Sequence, residues 1–155
     1  GVLFIDEAYS LNGNTENDFG KEAITTLIKE MEDNRDKFIV IMAGYTEEMN
    51  ELMELNPGLE SRVKFNIEFK DYNQEELFKI FKILCRNENY SIARDAYNKL
   101  KDVFEDMVAN KDNNFGNGRS VRKLFEEIKM KQATRVIEKG ILNKKEILKI
   151  TCKDI

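Results

Sequence analysis

Gly1-Val2-Leu3-Phe4-Ile5-Asp6-Glu7 decides the fold class: the apolar run Val2 to Ile5 is closed by two adjacent carboxylates. A short continuous apolar run suits a strand covered on both faces, as in a parallel α/β sheet. A charged residue directly after such a strand emerges at its carboxyl end, where open parallel sheets hold their ligands. Asp6 can there hold Mg²⁺ through water, and Glu7 beside it can orient or deprotonate an attacking water. An acidic turn after a strand accounts for the same two residues equally well. The run has no lead-in, so it reads as a piece of a longer polypeptide.

Working outward, residues 12–20 are rich in turn formers and read as a loop. Ala23, Ile24, Leu27, Ile28 and Met31 then recur at helical spacing, predicting an amphipathic helix from Lys21 to Asp33. Phe38 to Ala43 is a second continuous apolar run and a second parallel strand. Thr46, followed by Glu47 and Glu48, reads as a helix cap, with Met49, Leu52 and Met53 inside and Asn56-Pro57-Gly58 as the stop. Phe65, Ile67 and Phe69 alternate with polar residues and predict a short strand. After Asp71 the pattern is helical. Asn73 and Glu76 form a capping-box pattern ahead of Leu77, Ile80, Phe81 and Leu84. A helix over 93–109 turns Tyr97, Leu100, Phe104, Met107 and Val108 inward, and Lys111 to Gly118 is a polar loop. A third helix, Arg119 to Lys139, carries Val121, Leu124, Phe125, Ile128 and Val136, and Ile147 to Thr151 closes the chain as a strand. The division is therefore an α/β part over 1–71 and a small helical part over 72–155.

Composition removes several chemistries. The 155 residues include no His, so imidazole-based triads, H-E-x-x-H zinc sites and imidazole pH switches are excluded. Two cysteines far apart suggest neither a zinc site nor a disulfide framework and suit a reducing cytoplasm. No stretch approaches the apolar length of a membrane-spanning helix. The net charge of -4 is uneven: residues 1–110 hold 13 basic against 23 acidic side chains, and residues 111–155 hold 12 against 6. The basic end is an anion-facing or partner-facing candidate, or a solvated helical face.

Two further groupings could carry chemistry. In Asn56-Pro57-Gly58-Leu59-Glu60-Ser61-Arg62, a rigid turn ahead of a strand projects Arg62 at a domain edge, within reach of a neighbouring subunit's phosphates. Taken alone, a surface arginine paired with Glu60 or another local acid explains it better. In Gly116-Asn117-Gly118-Arg119-Ser120-Val121-Arg122, glycines lead into a helix that starts with Arg119, bringing cations and free N–H groups to the positive helix end. A loop with solvated arginines has comparable weight.

In this order the three groupings resemble the second half of an AAA+ ATPase. GVLFIDEAYSL (1–11), IVIMAGYTEEM (39–49), NPGLESRV (56–63), FKDY (69–72) and NGRSVRKLFE (117–126) are similar to the subgroup holding red-type Rubisco activase and stage V sporulation protein K. The resemblance covers nearly the whole chain. It implies a partial P-loop NTPase parallel sheet followed by a helical lid with a short C-terminal strand, using ATP and Mg²⁺. It also implies a homo-oligomeric ring, a hexamer, that remodels a protein substrate. By position, Asp6 would hold Mg²⁺ through water and Glu7 would be the catalytic base of a Walker B strand. Arg62 would be an arginine finger acting in trans, and Arg119, with Arg122 near it, the sensor 2 contact to the nucleotide. The polar sensor 1 position falls on Tyr45 or Thr46.

The phosphate loop G-x-x-x-x-G-K-[ST] is absent from the 155 residues. In the family it precedes Walker B, so these residues alone are expected to bind ATP poorly and hydrolyse it negligibly. The phosphate-loop strand would lie between the strands at 38–43 and 65–69, so unpaired edges are expected. A non-catalytic assembly module derived from the same domain is the alternative reading. Nucleic-acid binding ranks below both, because the aromatics sit at core spacing and form no stacking platform.

Overall fold

The computed structural model describes residues 1–13, 19–111 and 115–155, which fall into two compact units, Gly1–Phe69 and Lys70–Ile155. Parts of both expected loops, residues 14–18 and 112–114, lie outside the described residues.

In the first unit, β1 (Val2–Ile5) pairs in parallel with β2 (Ile39–Met42), from Val2 opposite Ile39 to Ile5 opposite Met42. Helix α1 (Gly20–Asp33) makes the crossover between them. Helix α2 (Thr46–Leu55) follows, and then the single turn α3 (Pro57–Glu60), with Pro57 at a first-turn position that needs no N–H donor. Ile24 and Leu27 of α1, Leu52 of α2, Leu59 of α3 and Ala8 form the buried cluster. Ile5, Val40 and Met42 supply the sheet's contribution to it.

Four expectations are corrected in this unit. The sheet is open on one face, where Val2, Phe4, Ile39 and Ile41 are exposed, and only partly covered on the other, where Leu3 is exposed too; continuous apolarity does not by itself supply the covering layers. Ala23 faces solvent, one step outside the stripe marked by Ile24 and Leu27. Thr46 is the first helical residue and its hydroxyl caps nothing; Tyr45, extended at ψ 145°, is the cap position. Residues 65–69 form no strand, and Phe65, Ile67 and Phe69 are 83%, 74% and 90% exposed. Alternation prepares a strand, but a ladder requires a partner's N–H and C=O groups, and among the described residues none pairs with this segment.

The second unit packs α4 (Gln74–Asn87), α5 (Arg94–Ala109) and α6 (Gly118–Glu138) around Phe81. The Phe81 ring stands edge-on to Phe125 at 5.6 Å and to Phe104 at 5.8 Å, the offset geometry that aromatic quadrupoles favour. Leu77, Leu100, Val121 and Ile128 complete the core as their spacing requires. Phe78, Cys85 and Ala96 join it from the flanks of the same stripes. Tyr97 stays at the rim, its ring 4.8 Å from that of Phe78. The capping box at the start of α4 is complete: Glu76 N–H donates to Asn73 Oδ1 at 3.0 Å, and Asn73 N–H donates to Glu76 Oε2 at 2.9 Å.

The closing strand differs from the expectation. Ile147 ends a helical turn, α7 (Lys144–Ile147), and the strand is confined to Lys149–Ile150 (β4), pairing in parallel with β3 (Ser91–Ile92). The tail is locked by a buried ion pair in which Arg135 Nε donates to Asp154 Oδ1 at 2.6 Å and an Arg135 Nη to Oδ2 at 3.0 Å. Thr151 N–H and hydroxyl also donate to Asp154, at 2.7 and 3.0 Å. Arg135 further donates to the Lys149 carbonyl, and buried Gln132 donates to that of Ile147.

Burial would raise the Asp154 carboxyl, but Arg135 and both Thr151 donors outweigh it and hold it below the ordinary aspartate value. A depressed folded value stabilises above the unfolded one, about 3.9, and that contribution is lost as pH falls through the folded value. Asp154→Asn leaves Arg135 without its counter-charge and is expected to cost about 3 kcal/mol in urea unfolding at pH 7. The gap from the native chain should narrow below about pH 4. Cys85 is buried in the same core, which pushes its thiol up to about 12. Alkylation of the native chain at neutral pH should therefore label half-buried Cys152 and spare Cys85 until unfolding, as read by peptide mass.

Candidate nucleotide site

The register of β1 on β2 brings two of the sequence-read groups to one edge of the first unit. Ile5 pairs with Met42, so Asp6 and Glu7 leave β1 where Ala43, Gly44, Tyr45 and Thr46 leave β2. Two backbone bonds continue the ladder past the strand ends: Ala43 N–H donates to Ile5 O at 2.9 Å and Ala8 N–H to Ala43 O at 3.0 Å. Between them the chain turns sharply at Glu7, which adopts the left-handed conformation at φ 49°, ψ 45°. That conformation is costly for a residue with a Cβ. Glu7 N–H donates to Asp6 Oδ1 at 3.1 Å, orienting the Asp6 carboxylate, and both acids are exposed.

Tyr9 and Tyr45 close the other side, their ring centroids 6.2 Å apart. The Tyr9 phenol is raised first by partial removal from water, then by the charges of Glu7, Tyr45, Glu48 and Asp6. Asp6, Glu7 and Glu48 are exposed and form no ion pair among the described residues, so the edge is open to a cation. Gly44 is required here because a Cβ would lie 2.7 Å from the Tyr9 ring and 2.8 Å from Met49 Sδ. Among the described residues no three His, Cys, Asp or Glu side chains gather as a metal cage. A divalent ion at Asp6 would therefore take its remaining ligands from water and from the oxygens of a phosphate.

Arg62 does not project freely. One Nη donates to Glu32 Oε2 at 2.9 Å and the other to Gly58 O at 3.0 Å, while Nε is buried without a partner. The local acid is Glu32, at the end of α1 and thirty residues away, rather than Glu60. No sequence spacing signals that pairing. Arg119 and Arg122 belong to the second unit, exposed in the first turns of α6, and neither forms an ion pair among the described residues.

Sequence reasoning missed Tyr9, Glu48 and Gly44, which the AYSL and GYTEEM stretches contained but whose proximity depends on strand register. It also gave no role to Asn117, which stood between the glycines of the Gly116–Arg122 grouping. Asn117 Nδ2 donates to Asp71 Oδ1 at 2.7 Å, and Asn117 Oδ1 accepts from Tyr72 N–H at 3.1 Å. Lys111 pairs with the same Asp71 at 3.1 Å.

Comparison with known proteins agrees with both halves of this description. The family described as ATPase family associated with various cellular activities (AAA) matches residues 1–71, and the AAA lid domain matches residues 73–155. Stage V sporulation protein K of Bacillus subtilis (strain 168) is 42% identical over 156 residues, spanning 100% of this chain and 48% of that protein. A CfxQ homolog of Trieres chinensis is 42% identical over 159 residues, spanning 100% and 54%. Protein CbbX of Cereibacter sphaeroides is 41% identical over 137 residues, spanning 88% and 44%. The chain thus spans about half the length of the curated relatives it matches. With a first strand closed by Asp-Glu, a helical unit following in sequence and these matches along its whole length, the chain belongs to the AAA ATPase family and comprises an AAA segment followed by an AAA lid domain.

Proposed function

We propose that this chain is the Walker B-to-lid portion of an ATP-hydrolysing AAA+ module in a cytoplasmic, ring-forming enzyme that remodels a protein substrate, with neighbouring copies in a hexamer as partners. What supports the nucleotide reading most is the carboxyl edge shared by β1 and β2, where the register brings the exposed carboxylates of Asp6 and Glu7 to the end of the sheet that Tyr45 also leaves. The Mg²⁺ of bound Mg-ATP would supply positive charge beside these carboxylates, and the nucleotide would supply the phosphoryl group. Asp6, whose carboxylate accepts from the Glu7 N–H, would hold the ion through water. Glu7, turned out of the strand line by its left-handed backbone, takes the proton from the attacking water. Tyr45 or Thr46, at the start of α2, provides the polar group facing that water. Arg119 and Arg122 approach the nucleotide from the lid.

Arg62 serves the neighbouring subunit's nucleotide, which requires the bond to Glu32 to open during assembly. The Glu32 side chain is 56% exposed, so water weakens this ion pair and a phosphate can compete with the one carboxylate. The phosphate loop is not among these residues, so the chain by itself turns over ATP negligibly.

The test uses a protein that carries this chain together with an upstream phosphate loop, titrated with Mg-ATP beside the 155 residues alone. Glu7→Gln should retain ATP binding and lose turnover on the order of a hundred-fold or more, since only the base is removed. Equal loss of binding and turnover would defeat the assignment. Arg62→Ala should lower turnover on the order of a thousand-fold in assembled rings and leave the residual rate of dilute subunits unchanged. An equal loss in dilute subunits would remove the trans role.

A further inference from the structure

We infer that Asn117 is a positioning residue for Arg119: its side chain ties the first turn of α6 to the Asp71-Tyr72 segment that leads into the helical unit. The inference rests on the reading of Arg119 as a nucleotide contact. Three observations carry it, and each is unusual for an asparagine at this place.

Asn117 is the cap residue of α6, its carbonyl accepting from Ser120 N–H at 3.1 Å and Val121 N–H at 3.3 Å. A cap asparagine ordinarily turns its side chain onto the helix's own N–H groups, yet here the side chain makes no capping bond. It reaches back 45 and 46 residues instead, accepting from Tyr72 N–H and donating to Asp71. The backbone is at φ 53°, ψ -121°, a region suited to glycine. Glycine flanks it on both sides in Gly116-Asn117-Gly118, so a local need for flexibility would have been met more cheaply by a third. The asparagine is there for its amide.

The consequence is geometric. The amide bond pair fixes residue 117 in two directions, and Arg119 is two residues further on in the same turn, its own N–H bonded to Gly116 O at 2.8 Å. Any rotation of the start of α6 is therefore passed to Tyr72 and Asp71, and any pull on that segment is passed to Arg119. Arg119 engagement and the lead-in segment move as one body through a bridge of two hydrogen bonds. Lys111 Nζ donates to the other carboxylate oxygen of Asp71, Oδ2, at 3.1 Å.

The test is again made in a protein carrying the phosphate loop. Asn117→Gly removes the amide and relaxes the backbone, so Tm should stay level or rise. The catalytic constant for ATP should nonetheless fall about ten-fold, as expected when a catalytic group loses its placement. Arg119→Ala should show a loss at least as large, and the double variant should be no worse than Arg119→Ala alone. Asp71→Ala should reproduce the Asn117→Gly loss. Asp71→Asn, whose amide oxygen can still accept from Asn117 Nδ2, should restore most of the rate although its bond to Lys111 is weakened. Hydrogen exchange should show faster exchange of the Tyr72 amide in Asn117→Gly and native protection in Arg119→Ala.

If Asn117→Gly keeps the rate within two-fold while Arg119→Ala loses it, the positioning role is overturned and the nucleotide contact stands. A lowered Tm with a proportionate loss of rate would make Asn117 a purely structural residue and also overturn the inference. If Arg119→Ala itself leaves binding and turnover unchanged, the nucleotide reading of Arg119 fails and the positioning role falls with it.

Discussion

The parallel pairing of β1 with β2 is the constraint on which the first unit depends. Its register, Val2 opposite Ile39 through Ile5 opposite Met42, fixes which residues leave the sheet together. A slip by one residue would turn Val40 and Met42 out of the core and expose them in place of Ile39 and Ile41. It would also separate Asp6-Glu7 from the Gly44-Tyr45 turn. The fold energy and the chemistry are therefore set by the same ladder: burial of Ile5, Val40 and Met42 against Leu27 and Leu52 selects the register, and the register assembles the acidic edge. Gly44 adds a second, local condition, because the close approach of Tyr9 and Met49 leaves no room for a side chain there.

The helical unit solves a different problem, holding a long helix by both ends. In its middle, α6 is fixed by Val121, Phe125 and Ile128 in the aromatic core. Near its C-terminal end, Arg135 and Gln132 bind the returning tail through Asp154 and the carbonyls of Ile147 and Lys149. At its N-terminal end, Asn117 binds Asp71 and Tyr72. Hydrophobic packing tolerates small rotations of a helix about its axis, whereas directional bonds at the two ends do not. Arg119 sits beside the N-terminal attachment, so its placement depends on polar bonds more than on the core.

These contrasts explain what was legible in the sequence. The three long helices and α1 follow from periodicity, β1 and β2 from short continuous apolar runs, and the Asn73–Glu76 capping box from its spacing, all of which report on neighbours a few residues away. Pairing partners far along the chain leave no such trace. The 65–69 segment has a strand's alternation without a strand's partner, and β3 has too few residues to display a period at all. Glu32 beside Arg62, Asp154 beside Arg135 and Asp71 beside Asn117 are pairs separated by 30, 19 and 46 residues, and each became visible only when the fold closed the distance. Asp6, Glu7 and Arg119 could be singled out early because strand ends and helix starts have local signatures. What each of them leans on could not.

Backbone strain gives a final discrimination. Glu7, Asn89 and Asn117 are the non-glycine residues with positive φ among those described, but they are not equivalent. Asn89 follows α4, and Tyr90 N–H beyond it bonds to Cys85 O at 2.8 Å, the closing bond of a left-handed helix stop. Its conformation is repaid on the spot by satisfying a helix carbonyl. Glu7 and Asn117 stand at helix starts instead: Ser10 N–H donates to the Glu7 carbonyl and Ser120 and Val121 N–H to that of Asn117, while neither side chain makes a cap bond. The Asn117 side chain reaches away from its own helix to Asp71 and Tyr72. The strained positions that do not end a helix thus fall beside Asp6 in the first unit and Arg119 in the second, while Asn89 falls where a helix has to end.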